Sequence, residues 1–264
     1  MNFTRRFGKD CDPMSPSHWQ SLCERAAAHQ EQGEYDDAEL LLRETLTLVE
    51  TDSDRALLFN NLAVLHKYQG RFADARQLYA ESLAILEPLL GADHCDLATL
   101  YHNLGGIEHA CRDYARGEPL ARRGLAIRER SLGPDHPDVA ADLAALAALL
   151  DGQGKYDEAE QLYRQTLPLK EKLLGSSHPD VAVTLNNLAT LLRRQSRRAE
   201  AAECYERSLA ILETKFGLDH PWVIAARSNH ARLAREEQTE VDASRDVMAK
   251  KSSRANQPAG ASPG

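Results

Sequence analysis

Four histidines recur in this chain at a constant interval of 42 residues, and histidine is the side chain most often used to bind metals and to transfer protons. They are His94, His136, His178 and His220. Equivalent residues of stacked helical repeats lie at least about 8–10 Å apart, whereas zinc needs each ligand nitrogen at about 2 Å. The four histidines therefore cannot share one ion, and we predict no metal site.

Signatures of catalytic sites are absent from the sequence. None of the motifs H-E-x-x-H, G-x-x-x-x-G-K-[ST], G-x-G-x-x-G or G-x-S-x-G occurs, so no nucleophile and base can be named. The five cysteines are an odd number and contain no C-x-x-C pair, which argues against a disulfide framework. We predict a non-enzymatic protein without a cofactor, located in the reducing cytoplasm.

Composition and charge narrow the class of protein further. The 264 residues include 32 basic and 40 acidic side chains, giving a net charge of −8, and a surface of that sign repels nucleic acid and anionic lipid. No segment approaches the roughly 18 apolar residues of a membrane span. Abundant Ala, Leu, Glu and Arg favour helix over sheet. We predict an all-α protein that binds neither nucleic acid nor membrane.

The elements that position these residues follow from the sequence around each histidine. The motif Leu-Gly-x-x-His-Pro-Asp stands at 132–138 and 174–180, with shortened forms before and after. A fixed period of this length indicates a solenoid, in which each unit packs only against its neighbours. Apolar residues at spacings of three and four predict two amphipathic helices in each unit, separated by a turn glycine such as Gly70 or Gly154.

The predicted organisation is one elongated domain over residues 16–248. It comprises five helix-pair units, at 17–54, 55–96, 97–138, 139–180 and 181–222, followed by a capping helix from Val223. The unit at 97–138 departs from the pattern, because it has Arg112 in place of the turn glycine. It also has Gly117 within its second helix, which we expect to weaken that helix by about 1 kcal/mol. The ends, 1–15 and 249–264, are rich in Ser, Pro, Gly and charge, and we predict that they are disordered.

These stretches resemble the tetratricopeptide repeat in its 42-residue form, the kinesin light chain type. The resemblance lies in Leu-Asn-Asn-Leu-Ala at 185–189, in Gly-Lys-Tyr-Asp-Glu-Ala-Glu-x-Leu-Tyr at 154–163, and in the Leu-Gly-x-x-His-Pro-Asp loops. It implies a right-handed superhelical solenoid of tetratricopeptide-like helix pairs. It also implies a concave groove, lined by the first helix of each unit, that holds an extended peptide.

The resemblance assigns one facing register of the first helices to peptide contact. In successive units this register holds Asn61, Asn103, Ala145, Asn187 and Asn229. Asparagine is a mediocre helix former, so its repeated use there needs a reason. One reason is a ladder of amides that bond a peptide backbone. The alternative is that each amide bonds a neighbouring helix.

Variation along the groove indicates what kind of ligand it would hold. The 139–180 unit has only small residues at the facing positions, namely Ala141, Ala144, Ala145, Ala148 and Gly152, which leave room for a bulky apolar side chain. The following helices bring the basic residues Arg193, Arg194, Arg232 and Arg235, which favour carboxylate partners. The alternatives are an Ala-rich packing surface and solvated arginines near helix carboxyl ends.

The sequence thus predicts an interaction scaffold that binds an acidic peptide segment carrying one bulky apolar residue. The alternative function is a structural module that self-associates and binds no separate peptide. Light scattering would separate the two.

Overall fold

The computed structural model describes residues 18–236, and these residues form helices joined by short turns. The helices are α1 (His18–Glu31), α2 (Tyr35–Leu48), α3 (Asp52–Tyr68), α4 (Phe72–Leu90), α5 (Cys95–Ala110), α6 (Tyr114–Leu132), α7 (Pro137–Gly152), α8 (Tyr156–Leu174), α9 (Pro179–Arg194), α10 (Arg198–Phe216) and α11 (221–236). This part of the chain contains no strand. The all-α prediction is confirmed.

The chain divides into two compact units, one within Met1–Leu173 and the other within Leu174–Gly264, where a single elongated domain was predicted. In the first unit each helix from α1 to α7 packs against the next, and α5 also contacts α3 and α7 directly. In the second unit α9 packs against α10. The predicted disordered ends, and any second helix after α11, lie outside the described residues.

The period of 42 residues is expressed in the core as well as in the loops. Tyr79, Tyr163 and Tyr205 occupy one register of the second helices, and all three are fully buried. Three positions later, the Ser82 hydroxyl donates to the Ala56 carbonyl at 2.9 Å, and the Ser208 hydroxyl donates to the Ala182 carbonyl at 2.7 Å. Within these pairs, a short polar side chain therefore lets the second helix approach the backbone of the first.

The turns between helices of a pair require a left-handed backbone, as the glycines predicted. Gly70 has φ of 74° and Gly154 has φ of 78°. The two units without a turn glycine adopt the same conformation with other residues, since Arg112 has φ of 60° and Ser196 has φ of 63°. The arrangement of the two helices determines the turn geometry. Arg112 and Ser196 therefore adopt a left-handed backbone conformation, which is unfavourable for a residue with a side chain.

Gly117 has a packing role that its effect on helix propensity did not reveal. A Cβ at this position would lie 2.5 Å from Leu149 Cδ2 and 3.1 Å from Glu108 Cβ. Real Cβ atoms do not approach other atoms so closely, so a side chain at position 117 would require Leu149 and Glu108 to shift. The expectation that Gly117 simply weakens its unit is therefore incomplete, because the glycine permits the close contact.

Candidate peptide-binding faces

Two of the predicted peptide-contact asparagines, Asn61 and Asn103, belong to the first compact unit and do not lie on an accessible surface. Asn61 on α3 and Asn103 on α5 each expose only 2% of their area. The Asn60 amide donates to Asn61 Oδ1 at 3.3 Å. Asn103 Nδ2 has no hydrogen-bond partner among residues 18–236. A row of exposed amides is therefore absent from α3 and α5, because packing covers both side chains.

The alanines that the sequence placed at the facing positions of the 139–180 repeat lie on a partly exposed face of α7. Ala144, Ala145 and Ala148 are half-buried and Ala141 is exposed, whereas the leucines on the opposite side of the helix are buried. At the end of the face the ring of Tyr114 covers Gly152, where a Cβ would lie 2.5 Å from the ring. The accessible alanine face is therefore the surface formed by Ala141, Ala144, Ala145 and Ala148.

A buried charge network holds α7 against its neighbours and so positions the alanine face. Asp142 exposes 3% of its area. Its two oxygens contact His102 Nδ1 of α5 at 2.6 Å and Arg128 Nε of α6 at 2.7 Å. Removing one partner from such a network leaves a buried charge uncompensated, which is strongly destabilising. No local sequence pattern marks this triad, because its members are far apart along the chain.

In the second compact unit, the predicted asparagines Asn187 and Asn229 are more exposed than Asn61 and Asn103. The side chain of Asn229 bonds a neighbouring helix. Asn187 and Asn229 are half-buried. The Asn229 amide donates to Asn186 Oδ1 at 3.1 Å, which joins α11 to α9. The Asn229 amide thus bonds a neighbouring helix, which is the alternative to peptide binding that the sequence left open.

Two of the four predicted arginines in the second compact unit, Arg193 and Arg232, contact Glu236, which was not among the predicted site residues. Arg193 Nη1 donates to both oxygens of Glu236, at 2.7 and 3.0 Å, and Arg232 Nε donates to Oε1 at 3.3 Å. The hydrogen bond from Arg193 lowers the pKa of Glu236. Arg194 and Arg235 are exposed. One acidic side chain of the same chain therefore already neutralises part of the basic cluster.

Lys67 on α3 is a further basic residue of the first helices, and it was not among the predicted site residues. It lies three repeat lengths of 42 residues before Arg193, so the two share one register of the first helices. Its side chain is half-buried, and burial lowers its pKa. The repeat alignment could have identified it, because the basic type recurs there in Lys67, Arg193 and Arg235.

The periodic histidines act as helix caps. The backbone N–H groups of Asp96, Asp138, Asp180 and Trp222 donate to Nδ1 of the histidine two residues earlier, at 3.1–3.3 Å. Potential metal-ligand atoms cluster within 4.8 Å at two places in the described chain, His94-Cys95-Asp96 and His29-Glu34-Asp37. At the first cluster Nδ1 already accepts the capping N–H, and only Nε2 remains for another contact.

Helix pairs repeated every 42 residues, with left-handed turns and capped loops, define a helical-repeat protein. Models of the family described as "Tetratricopeptide repeat" match residues 54–105, 96–172, 152–214 and 180–246, and a related one matches 20–51. The chain belongs to the tetratricopeptide repeat family. The predicted resemblance to the kinesin light chain type is confirmed.

Solved structures with the same fold include a kinesin light chain-like protein of P. anserina with nearly identical TPR-like repeats. It is 25% identical over 76% of this chain and 98% of its own, with a TM-score of 0.63. BtubC (BKLC) from P. vanneervenii is 24% identical over 76% and 82%, with a TM-score of 0.66. The apo form of RapI is 15% identical over 86% of each chain, with a TM-score of 0.66. The last two show the fold alone.

No curated protein sequence matches the chain significantly. Within residues 18–236, no helix has both the length and the apolar character needed to cross a bilayer. Repeat folds of this family serve as protein-interaction scaffolds, with function carried by the side chains on their surfaces.

Proposed function

We propose that this chain is a non-catalytic scaffold that binds an extended segment of a partner protein along its first helices. The observation that carries the proposal is the alanine face of α7. A helix that is apolar on all sides is normally buried, and a surface helix normally carries polar residues outward. On α7 the outward side instead carries four alanines, at positions 141, 144, 145 and 148, and these remain partly exposed to solvent.

The face accommodates a bulky apolar side chain of the partner. Alanine methyl groups leave space above the helix, and burying a large apolar group there contributes about 1.5–3 kcal/mol. In the second compact unit, considered by itself, the exposed side chains of Asn-bearing α9 and of α11 include Arg194 and Arg235, a composition that favours acidic residues in a bound segment. The proposed ligand is thus an acidic segment with one bulky apolar residue. Its proposed contacts in the first compact unit are Ala145 and Ala148 on α7.

A random peptide library displayed on phage provides the test. Selected peptides should be enriched in acidic residues and in one large apolar residue. Ala145→Trp fills the space on α7 and should weaken binding of those peptides at least about tenfold, since a lost apolar contact of 1.4 kcal/mol is one decade. Helix content and thermal unfolding should stay close to those of the parent.

The matched control is Ala84→Trp, which adds the same ring to an exposed alanine on α4. This variant should bind like the parent. Equal binding by Ala145→Trp, or a library from which no peptide is enriched, would contradict the proposal.

A second candidate, self-association, is favoured by exposed apolar residues in the second unit. Leu218, Trp222 and Ile224 expose 55%, 49% and 56% of their areas, and Trp222 stands where the other loops have aspartate. Multi-angle light scattering of the parent and of Trp222→Ser decides the matter. A dimer that dissociates in the variant supports this candidate, and a monomer in both supports peptide binding alone.

A further inference from the structure

Three side chains that commonly bind metals meet at the turn between α1 and α2. His29 lies in the last turn of α1, Glu34 is the N-cap residue of α2, and Asp37 lies in the first turn of α2. One possible ligand atom from each of them lies within 4.8 Å of the other two. His29 Nδ1 and Glu34 Oε2 are only 2.5 Å apart. An imidazole and two carboxylates therefore converge on one small volume.

The corresponding turns of other helix pairs carry a cation where this turn carries Glu34. The N-cap residue and the residue three positions later are Arg71 and Asp74 in α4, and Arg197 and Glu200 in α10. Each couple forms an ion pair, with Nη2 to carboxylate distances of 2.8 and 2.7 Å. In α2 both positions are acidic, and like charges at this spacing on a helix repel each other. The place of the arginine is thus open to a cation from solution.

The ligand set suits a divalent transition metal, and zinc in particular. Zinc binds histidine nitrogen and carboxylate oxygen at about 2.0–2.2 Å in a tetrahedral arrangement, so that two of its ligand atoms lie roughly 3.4 Å apart. Glu34 and Asp37 are exposed and His29 is half-buried, so small side-chain rotations bring the three atoms to this spacing. The two carboxylates neutralise the charge of the ion. Calcium and magnesium are less suited, because they prefer six or more oxygen ligands.

We infer that His29, Glu34 and Asp37 form a zinc-binding site that connects α1 to α2. Nδ1 of the imidazole and one oxygen of each carboxylate bind the ion, and water completes its coordination. The ion replaces the hydrogen bond between His29 and Glu34, and the imidazole then carries its proton on Nε2. The prediction of no metal site was argued from the four loop histidines, and His29 lies outside that series.

Calorimetric titration of the full chain with zinc chloride tests the inference, with magnesium chloride as the comparison. Zinc should bind with a Kd below about 0.1 mM, and magnesium should not. His29→Gln and Asp37→Asn should each weaken zinc binding at least about tenfold, since even changes beyond the ligands themselves cost metal sites that much. Asp36→Asn is the matched control. It removes the same charge from the exposed neighbouring residue of α2 and should bind zinc like the parent.

Glu34→Arg tests the comparison with the other turns. It recreates the charge pattern of α4 and α10, so the arginine can pair with Asp37 and leave no place for zinc. Hydrogen exchange provides a second measurement. At a zinc concentration 100 times Kd, amides of α1 and α2 that exchange through opening of this helix pair should slow by up to about 100-fold in the parent. In Glu34→Arg, zinc should have no effect on them.

A further variant separates this site from the cluster at His94, Cys95 and Asp96, which also offers zinc ligands. Cys95→Ser should bind zinc at the α1–α2 turn like the parent. Loss of binding in Cys95→Ser, together with unchanged binding in His29→Gln, would place the ion at the other cluster and reject the inference. It is also rejected if the parent binds zinc more weakly than about 0.1 mM, or if the variants of residues 36 and 37 lose affinity equally.

Discussion

At the scale of single residues, the same imidazole contact recurs in four loops. His94, His136, His178 and His220 each accept a backbone N–H with Nδ1. The first N–H groups of a helix have no partner within it, so an acceptor side chain at the N-cap stabilises the helix end. The histidines therefore recur because each one caps the start of a first helix.

Replacing one capping histidine tests this explanation. His136→Ala removes the acceptor and should lower the free energy of unfolding by about 1 kcal/mol, whereas His136→Asn, a strong capping residue, should lower it much less. Urea unfolding followed by circular dichroism measures both. Equal stability of the two variants would show that the cap contributes little.

Glu118 is the residue that links stability to pH most clearly. Its Oε2 accepts from Lys155 Nζ at 2.6 Å and from Gln153 Nε2 at 2.8 Å. The hydrogen bond from Lys155 is the largest influence that lowers its pKa, from 4.5 to about 2. These bonds connect α6 to the turn before α8.

A lowered folded-state pKa determines the sign of the effect. The stabilisation from Glu118 is fully present above pH 4.5 and is lost as the pH falls toward about 2. Glu118→Gln should therefore reduce stability at pH 7 and flatten its dependence on pH in this window. Unfolding free energies measured from pH 2 to 7 check this, with exposed Glu203→Gln as the control. A slope unchanged from the parent would count against the assignment.

At the scale of elements, two turns carry a conformational cost that glycine relieves. Arg112 and Ser196 are held at positive φ in turns where other pairs use glycine. A left-handed conformation costs a residue with a side chain about 1–2 kcal/mol, part of which is offset by the greater freedom of glycine in the unfolded chain.

Arg112→Gly should consequently stabilise the protein by up to about 1 kcal/mol. Gly117→Ala, five residues further on, should destabilise it, since overfilling costs about 1–3 kcal/mol and outweighs the gain in helix propensity. Thermal unfolding of both variants gives the comparison. If Gly117→Ala proved the more stable of the two, the close contact with Leu149 would not be rigid.

At the scale of the whole molecule, stability should be graded along the chain. A repeat protein is stabilised by contacts between neighbouring units, so end units have fewer of them than interior units. We expect the amides of 139–222 to exchange most slowly, and those of 17–54 and of the residues after Asn229 to exchange fastest. Hydrogen exchange read by mass spectrometry measures this. Uniform protection, lost in one global opening, would contradict it.

Much of the fold could be predicted because its determinants are local. Apolar spacings of three and four define each helix, and a glycine such as Gly70 or Gly154 marks most of the turns between paired helices, so these elements depend on a few adjacent residues. The period then pairs the helices. The alanine face on α7 was predictable for the same reason, since helical geometry decides which residues share a side.

The rest depends on contacts between residues far apart in the sequence, and only the tertiary structure decided it. Helix periodicity gives the direction of Asn61 and Asn103, but packing against neighbouring helices buries them. The pairing of Arg193 with Glu236 spans 43 residues, and the burial that lowers the pKa of Lys67 likewise comes from packing between helices. Which charges are neutralised internally is a property of distances across the fold, and a single sequence does not contain those distances.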